Sequence, residues 1–311
     1  MKKVLVYVIA LIIVIAIVVG CVMLYNSSVN TDEGNKNNQE EVISNEAIFT
    51  LENYPKVDAS LAIHPLVDSI ASNFLAIPEE ELNFEYTKTR SSEVYRNLID
   101  GKVDVIFAAE ISKEDQEYAK QKGVELKIIP ATSSAFVFIV NTDNKVDGLT
   151  FEQIQKIYTG EITNWSEVGG EDAPIIAYQR PTGSGSQTAM LSLVMKDKKI
   201  MEPKTKALEL EMGGLVDAVA EYDNAKNAIG YSYFYYVNTM YKRDTIKMLA
   251  VDGVKPTIET IKDGTYPIFT NGFIVVRADE KEEGNTMKWV NTVLSARGSK
   301  IIEDAGYVPV N

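Results

Sequence analysis

The stretch Ile175–Met195, IIAYQRPTGSGSQTAMLSLVM, is the clearest indicator of fold in this chain. An apolar run of the kind found in buried strands ends at Tyr178, and a turn rich in glycine and serine follows it. The turn opens a segment whose apolar residues, among them Ala189, Leu193 and Val194, can share one face of a helix. A strand, a tight turn and a helix in this order form the repeating unit of α/β proteins, so the stretch predicts that class.

The turn itself has the composition of a site for a small tetrahedral anion. Gly183 and Gly185 allow close approach of the backbone to a ligand. The segment Ser184–Gln187 occupies the first turn of the predicted helix, where unpaired N–H groups and the helix dipole favour an anion, and Arg180 could add a forked contact. The patterns GxxxxGK[ST] and GxSxG are both absent from this turn. The alternative is that the serines and glycines form an ordinary helix N-cap.

Short strands and helices alternate on either side of this stretch. The rhythm predicts an α/β protein with mostly parallel sheets. No segment repeats at a fixed period, which excludes solenoids and propellers. The predicted helices lie within Ala59–Phe74, Val94–Ile99, Gln116–Lys122 and Phe151–Tyr158, and the predicted strands within Val103–Ala109, Leu126–Ile129, Ala135–Val140 and Ile175–Tyr178.

Two aromatic features are more typical of packing than of ligand binding. Trp165 lies in a turn-rich loop, Asn164–Gly170, and is expected to anchor that loop. The tyrosine-rich segment Tyr231–Tyr241 lacks interleaved basic residues, so a nucleic-acid stacking surface is not favoured. A strand followed by a packed aromatic helix is expected there instead.

Composition narrows the possible functions. The 311 residues are enough for about two domains. A formal net charge of −13 argues against nucleic-acid binding, although it does not exclude an anion held by local donors inside a cleft. A single Cys and a single His exclude an intrachain disulfide, a CxxC site and a His-rich metal site. We therefore expect no cofactor and no metal.

The N-terminus has the layout of an export signal. Lys2 and Lys3 precede the apolar run Val4–Val19, and the sequence ending in Gly20-Cys21 resembles a bacterial lipobox. Residues 1–20 are thus predicted to be a signal peptide, with Cys21 as the lipidated residue and residues 21–46 as a polar tether. The alternative is an uncleaved membrane anchor, because the apolar run continues to Tyr25. Either arrangement places the rest of the chain outside the membrane, on its extracytoplasmic side.

Several motifs occur together in a characteristic order. The most specific are IYTGEITNWSEVGG and QRPTGSGSQTAM, and the chain is similar in them to the phosphate-binding subunits of bacterial ABC importers, which have the type II periplasmic-binding-protein fold. That resemblance implies two α/β lobes joined by two crossing strands, with a ligand cleft between the lobes. The matching segments are Val57–Leu66, Leu98–Glu110, Ile157–Gly170, Gln179–Met190, Asn227–Phe234 and Gly306–Val310.

The resemblance also implies the arrangement of the chain and its mechanism. Residues 47–134 and 273–311 would form lobe 1, and residues 135–272 would form lobe 2. Ala135–Val140 and Asn271–Val276 would be the crossing segments. The lobes would close on inorganic phosphate, and a membrane permease would recognise the closed form. The binding protein would act as a monomer and catalyse no reaction.

The resemblance to the phosphate-binding subunits also implies which residues of this chain bind the ligand. Leu61 stands where relatives usually have a threonine donor, so that contact would come from Ser60 or from backbone N–H groups. Glu110 stands where many relatives have an aspartate that accepts the proton of hydrogen phosphate, although it could also be a solvated loop acid. The expected phosphate ligands are Arg180, Ser184, Gly185, Ser186, Gln187, Ser60, Leu61, Ala62, Ser92 and Glu110.

Three other functions remain open at this stage. The same fold could bind another oxyanion or a phosphorylated small molecule, or it could serve as a surface-anchored sensing or interaction module without transport. A phosphate-ester hydrolase is the enzymatic alternative. It is disfavoured because no metal-ligand set is evident and because His64 belongs to a different motif from the serines.

Overall fold

The computed structural model describes residues 46–86, 90–203, 208–209, 211–221 and 225–310. The predicted signal peptide or anchor, the lipidation site at Cys21 and all of the tether before residue 46 lie outside these residues. Within the described part of the chain, no helix is both long enough and apolar enough to cross a membrane.

The described residues alternate between strands and helices. The strands are β1 Val57–Ala59, β2 Val105–Ala108, β3 Leu126–Asn141, β4 Gly148–Leu149, β5 Ile176–Ala177, β6 Ala228–Tyr233, β7 Ile246–Met248, β8 Ala250–Val251, β9 Phe269–Arg277 and β10 Val308–Pro309. The α-helices are α1 His64–Leu75, α2 Ser91–Ile99, α3 Lys113–Lys122, α4 Phe151–Thr159, α5 Gly185–Ala189, α6 Met212–Ala220, α7 Ile258–Lys262, α8 Asn285–Val293 and α9 Ala296–Asp304. Wider π-helical turns follow α5 at Met190–Met195 and β6 at Tyr236–Met240, and short 3₁₀ turns occur at Leu61–Ile63, Glu79–Glu81, Trp165–Val168 and Ala225–Asn227.

The main sheet has the strand order β1-β2-β9-β3-β6-β5, and β10 and β7 also pair with β3. The α/β class is as predicted, but the expectation of mostly parallel pairing is wrong. β1 with β2 and β5 with β6 are parallel, whereas β2–β9, β9–β3 and β3–β6 are antiparallel. The reason is that β3 and β9 run in opposite directions alongside each other, with Leu126 opposite Arg277 and Ala135 opposite Phe269.

Strand β3 joins two halves of this sheet. Its first part pairs with β9, and its second part, from Phe136 onward, pairs with β6 and β7. We call the first half (β1, β2, β9, β10 and the start of β3) the first sheet, and the second half (the end of β3, β6, β5 and β7) the second sheet. The two separate strands predicted at Leu126–Ile129 and Ala135–Val140 are therefore one continuous strand. A register shift between Pro130 and Thr132 accommodates the proline, which has no N–H to donate.

Each sheet has its own hydrophobic core. Helices α1, α8 and α9 cover one face of the first sheet, where Leu66, Phe74 and Trp289 are fully buried. Helices α2 and α3 cover the other face around Leu98. The second core includes Phe138, Tyr158, Trp165 and Tyr231 among its buried residues. The boundaries predicted for the two lobes stay a prediction.

The packing roles predicted for the aromatic residues are confirmed. Trp165 is 1% exposed, and its indole N–H donates a hydrogen bond of 2.9 Å to the carbonyl of Asn227. The tyrosine-rich segment forms β6 and the helical turn after it, and Tyr231 packs tilted against Phe136 and edge-on against Phe138 in the second core. Neither feature therefore requires a nucleic-acid ligand.

Candidate anion site

The predicted turn lies where loops from both sheets meet. It follows the carboxyl end of β5, and it faces the loops that follow β1 and β2, as ligand sites do in open α/β sheets. Ser60 Oγ donates to Ser91 Oγ at 3.1 Å, and the backbone N–H of Ser92 donates to the Gly183 carbonyl at 3.3 Å. A Cβ atom on Gly185 would lie 2.7 Å from Ser91 Oγ, so a side chain at this position would displace the Ser91 hydroxyl. The structure thus brings the serines of both sheets to one place.

Arg180 is a buried cation with unused donors. Its backbone N–H donates to Tyr231 Oη at 2.9 Å and to Gln187 Oε1 at 3.3 Å, which holds the loop in position. Its side-chain atoms Nε and Nη1 are buried and have no hydrogen-bond partner among the described residues. Burial lowers the pKa of the guanidinium from its ordinary value, because desolvation disfavours the charged form. A buried guanidinium with unpaired donors is stabilised by negative charge, and an anion that reached Nε and Nη1 would supply it.

The start of α5 contributes capping groups and a free hydroxyl. Ser184 is the N-cap: its hydroxyl accepts from the Gln187 backbone N–H at 3.3 Å and donates to the Pro181 carbonyl at 2.9 Å. The N-cap interpretation is therefore correct for this side chain. Ser186 differs, because its hydroxyl is fully buried and has no partner in the described part of the chain. Gln187 Oε1 accepts from the Tyr231 hydroxyl and from the Arg180 backbone N–H, so this side chain positions the arginine loop.

The loop after β1 forms the wall of the site on the side of the first sheet. Ser60 and Ala62 are buried, and Leu61 is half-buried and packs against the second core. Together with Ala109 and Tyr233, Ser60 and Ala62 line a cavity of about 40 Å³ between the sheets. A cavity of this size accommodates a few atoms and is too small for a nucleotide.

Ser92, which the sequence suggested as a ligand, is bonded to a neighbouring helix, and the adjacent Ser91 faces the start of α5 instead. The Ser92 hydroxyl donates to Asp115 Oδ1 at 2.6 Å, and Asp115 also accepts from Ser112 and Arg96. The hydroxyl that faces Gly185 belongs to Ser91, which the sequence reasoning missed. The sequence did contain a signal for Ser91, because this residue is adjacent to Ser92 and is the first residue of α2. Only the packing of α2 against α3 decides which of the two serines faces the cleft.

Glu110 makes a contact that the sequence did not suggest. Its Oε2 accepts a hydrogen bond of 2.6 Å from Ser192, which lies in the π-helical turn after α5. In this structure the carboxylate is therefore engaged by a hydroxyl from the second sheet's side of the cleft. It borders a larger, more open cavity of about 660 Å³ that also includes Lys113 and Lys196.

The two sides of the cleft are in contact. The rings of Tyr235 and Tyr307 stack across the cleft at 3.7 Å between centroids. On its own side, Tyr307 Oη donates to the Ala62 carbonyl at 2.8 Å, which holds the ring in place. Lys262 and Glu303 form an exposed ion pair at 3.6 Å. Two side-chain contacts therefore join the two sides of the cleft.

The acidic and histidine side chains near the cleft do not cluster in the described part of the chain. Among the residues that the structure describes, no group of three or more His, Cys, Asp or Glu side chains could hold a metal ion. The ring of His64 contacts the carbonyl of Ala59 at 2.8 Å through Nε2 and lies against Tyr86, so it has a structural role at the start of α1.

Comparisons with known proteins agree with this geometry. A family model described as the PBP superfamily domain matches residues 57–297. The phosphate-binding protein PstS of Borreliella burgdorferi is 25% identical over 261 residues, covering 82% of this chain and 89% of that protein. PstS of Bacillus subtilis is 26% identical over 258 residues, covering 82% and 80%. These proteins are named for phosphate binding and are not named as enzymes.

A solved structure shares the fold over the same region. It is a substrate-binding protein from Clostridium perfringens, assigned to a phosphate ABC transporter and crystallised with bound phosphate. It has a TM-score of 0.67 and 27% identity, and the match covers 83% of this chain and 100% of that one. The resemblance inferred from the sequence motifs is thereby confirmed. Because the family model covers most of the described residues, the chain belongs to the PBP superfamily, with the two-sheet α/β fold of its type II phosphate-binding members.

Proposed function

We propose that this protein is an extracytoplasmic solute-binding protein that captures inorganic phosphate by closure of two lobes and delivers it to an ABC importer. The observation that supports this most directly is the buried Arg180 guanidinium, whose Nε and Nη1 have no partner among the described residues and which lies on the same loop as the unpaired Ser186 hydroxyl. The similarity to proteins named for phosphate binding supports the choice of anion.

The proposed mechanism uses donors from both lobes. Residues 47–134 and 273–311 form lobe 1 in this proposal, and residues 135–272 form lobe 2. An anion between them would receive hydrogen bonds from Arg180 and Ser186 on one side and from Ser60 and Ser91 on the other. Because these contacts exist together only when the cleft is closed, ligand binding favours the closed form. A permease in the membrane would recognise that form, and no catalytic step is required.

Titration of the protein with oxyanions tests the proposed function. The full chain, solubilised in detergent and refolded to remove bound ligand, should bind one phosphate with a Kd of about 1 µM or lower, as expected for several charge-assisted hydrogen bonds. Arsenate, with the same shape and protonation, should compete. Isothermal calorimetry is the measurement, with sulfate and molybdate as comparison ligands. Absence of heat with phosphate contradicts the proposal, and tighter binding of sulfate would favour another oxyanion.

One observation favours a second candidate function, the binding of an oxyanion other than phosphate. It is the hydrogen bond that Ser192 donates to Glu110. Sulfate has no proton to donate at neutral pH, whereas hydrogen phosphate does, and a Glu110 Oε2 atom that faces the Ser192 hydroxyl does not select phosphate through that oxygen. The comparison of phosphate with sulfate in the titration decides between the two anions.

We also propose that a lipid on Cys21 holds the protein at the outer face of the cell membrane. The Lys2-Lys3 pair, the apolar run and Gly20-Cys21 support this arrangement. Mass spectrometry of the membrane-extracted protein should find a mature chain that begins at Cys21 and carries a diacylglyceryl group. A chain that retains Met1 or Lys2 would instead establish an uncleaved anchor.

A further inference from the structure

Tyr233, the last residue of β6, has a hydroxyl that the packing of the second sheet does not explain. The residue is 9% exposed, and its Oη atom is buried without a hydrogen-bond partner in the described part of the chain. Buried hydroxyls in proteins nearly always have a partner. Tyr231, two residues earlier on the same strand, follows that rule through its contacts with Arg180 and Gln187.

The position of this hydroxyl places it at the candidate anion site. A Cβ atom on Gly185 would lie 3.3 Å from Tyr233 Oη and 2.7 Å from Ser91 Oγ, so both hydroxyls face the start of α5. Tyr233 also lines the small cavity that Ser60 lines from the opposite sheet. The unpaired phenol therefore lies between the serines of the two sheets.

The charges around Tyr233 suit a donor to an anion. Burial raises its pKa above the ordinary value, Glu110 raises it further, and Arg180 opposes the shift, so the phenol keeps its proton at neutral pH. Leu61 and Ala62, in the loop after β1, carry no hydroxyl that could donate to the anion. A donor from another element would supply that hydrogen bond.

We propose that the Tyr233 hydroxyl is a direct ligand of the bound anion, donating to an oxygen that faces β6. This inference rests on the proposed function, since it assumes an oxyanion beside Arg180 and Ser186. Among residues 60–62 of the loop after β1, only Ser60 carries a hydroxyl. Tyr233, at the end of β6, supplies a further hydroxyl donor that this loop lacks. It also gives the site a neutral donor, which keeps its proton irrespective of the charge on the anion.

Tyr95 provides a matched control. It is a buried tyrosine on α2, and its hydroxyl donates to the Ala109 carbonyl at 2.6 Å. Loss of that hydroxyl leaves a buried carbonyl unpaired, whereas loss of the Tyr233 hydroxyl removes a group that has no partner among the described residues. The two substitutions therefore separate a binding role from a structural one.

The test compares Tyr233→Phe with Tyr95→Phe in the full chain by phosphate calorimetry and ligand-free thermal unfolding. Tyr233→Phe should weaken phosphate binding about tenfold or more, as expected for a lost hydrogen bond to a charged ligand, while its ligand-free Tm stays the same or rises. Tyr95→Phe should lower the Tm and change the affinity by less than about twofold.

The outcomes separate this inference from the proposed function. If the wild-type chain binds phosphate and Tyr233→Phe binds it equally well, the inference is overturned and the proposed function stands. If Tyr233→Phe lowers the ligand-free Tm as much as Tyr95→Phe does, with no greater loss of affinity, the hydroxyl is structural and the inference is again overturned. If the wild-type chain shows no phosphate binding, both fail.

Discussion

Replacement of Arg180 by methionine is expected to weaken phosphate binding about 100-fold or more. The substitution removes two buried donors, Nε and Nη1, that have no partner among the described residues, and charge-assisted hydrogen bonds contribute about 1.5–3 kcal/mol each. The same change should leave the ligand-free Tm unchanged or raise it, because it removes a buried charge whose Nε and Nη1 have no hydrogen-bond partner among the described residues. Calorimetry with phosphate and thermal unfolding without ligand measure the two effects.

Lys127→Met is the matched control for this variant. It removes the same unit of positive charge from an exposed pair with Glu282, in which the Lys127 side chain is 45% exposed. Exposed pairs contribute little, so phosphate affinity and Tm should both stay close to wild type. Wild-type affinity in Arg180→Met would mean that the anion binds elsewhere in the molecule. A large loss of Tm would mean that the guanidinium stabilises the fold rather than the complex.

Replacement of Gly298 by alanine is expected to produce the largest loss of stability. Gly298 lies in the first turn of α9, directly against the end of α8, and a Cβ atom there would lie 2.0 Å from the Val293 carbonyl oxygen and 2.4 Å from its carbonyl carbon. Since both atoms belong to the backbone, the junction between the helices must shift. We expect a loss of about 3 kcal/mol, near the upper end for overpacking, and a Tm lower by roughly 6–12 °C.

Gly214→Ala is the control for the Gly298 substitution. Gly214 lies inside α6, where a Cβ atom would meet the end of the flexible Glu209 side chain at 3.1 Å. Alanine is the better helix former, so this variant should be neutral or slightly stabilised in thermal unfolding. If Gly298→Ala unfolds within about 2 °C of wild type, the α8–α9 junction has more freedom than its geometry indicates.

Local sequence patterns predicted the parts of this structure that local forces determine. The apolar spacing at Leu66, Ile70 and Phe74 predicted the buried face of α1, because i, i+4 positions share a face whatever the rest of the chain does. The turn from Arg180 to Ser186 was recognisable for a similar reason, since glycines, serines and a helix start are contiguous in sequence.

Features that depend on distant partners were not predictable in the same way. The continuity of β3 was obscured by Pro130 and by the polar pair Ser133-Ser134, which interrupt the apolar run although the backbone continues to pair with β9. Tyr233 lies far from Arg180 in sequence, and only the closed tertiary structure places its hydroxyl beside Gly185. What distinguishes this hydroxyl is that it is buried without a partner among the described residues, and a sequence does not show that property.

The same limit explains the serines and the acid of the site. Adjacent residues on a helix are about 100° apart, so the choice between Ser91 and Ser92 depends on the position of Asp115 on a neighbouring helix. Glu110 was expected either to accept a proton from the ligand or to be solvated. Its contact with Ser192 arises from a helical turn on the other side of the cleft, which no pattern near residue 110 indicates.

The position of β9 has a consequence for the order in which the first sheet can form. Val105 in β2 pairs with Val276 in β9, and β9 separates β2 from β3 in the first sheet. The sheet therefore has a gap between β2 and β3 until residues 269–277 are available to pair. Closing so long a loop is slow, and it leaves the edges of β2 and β3 exposed for that time. In an exported chain, this half of the molecule is completed only after β9 has crossed the membrane.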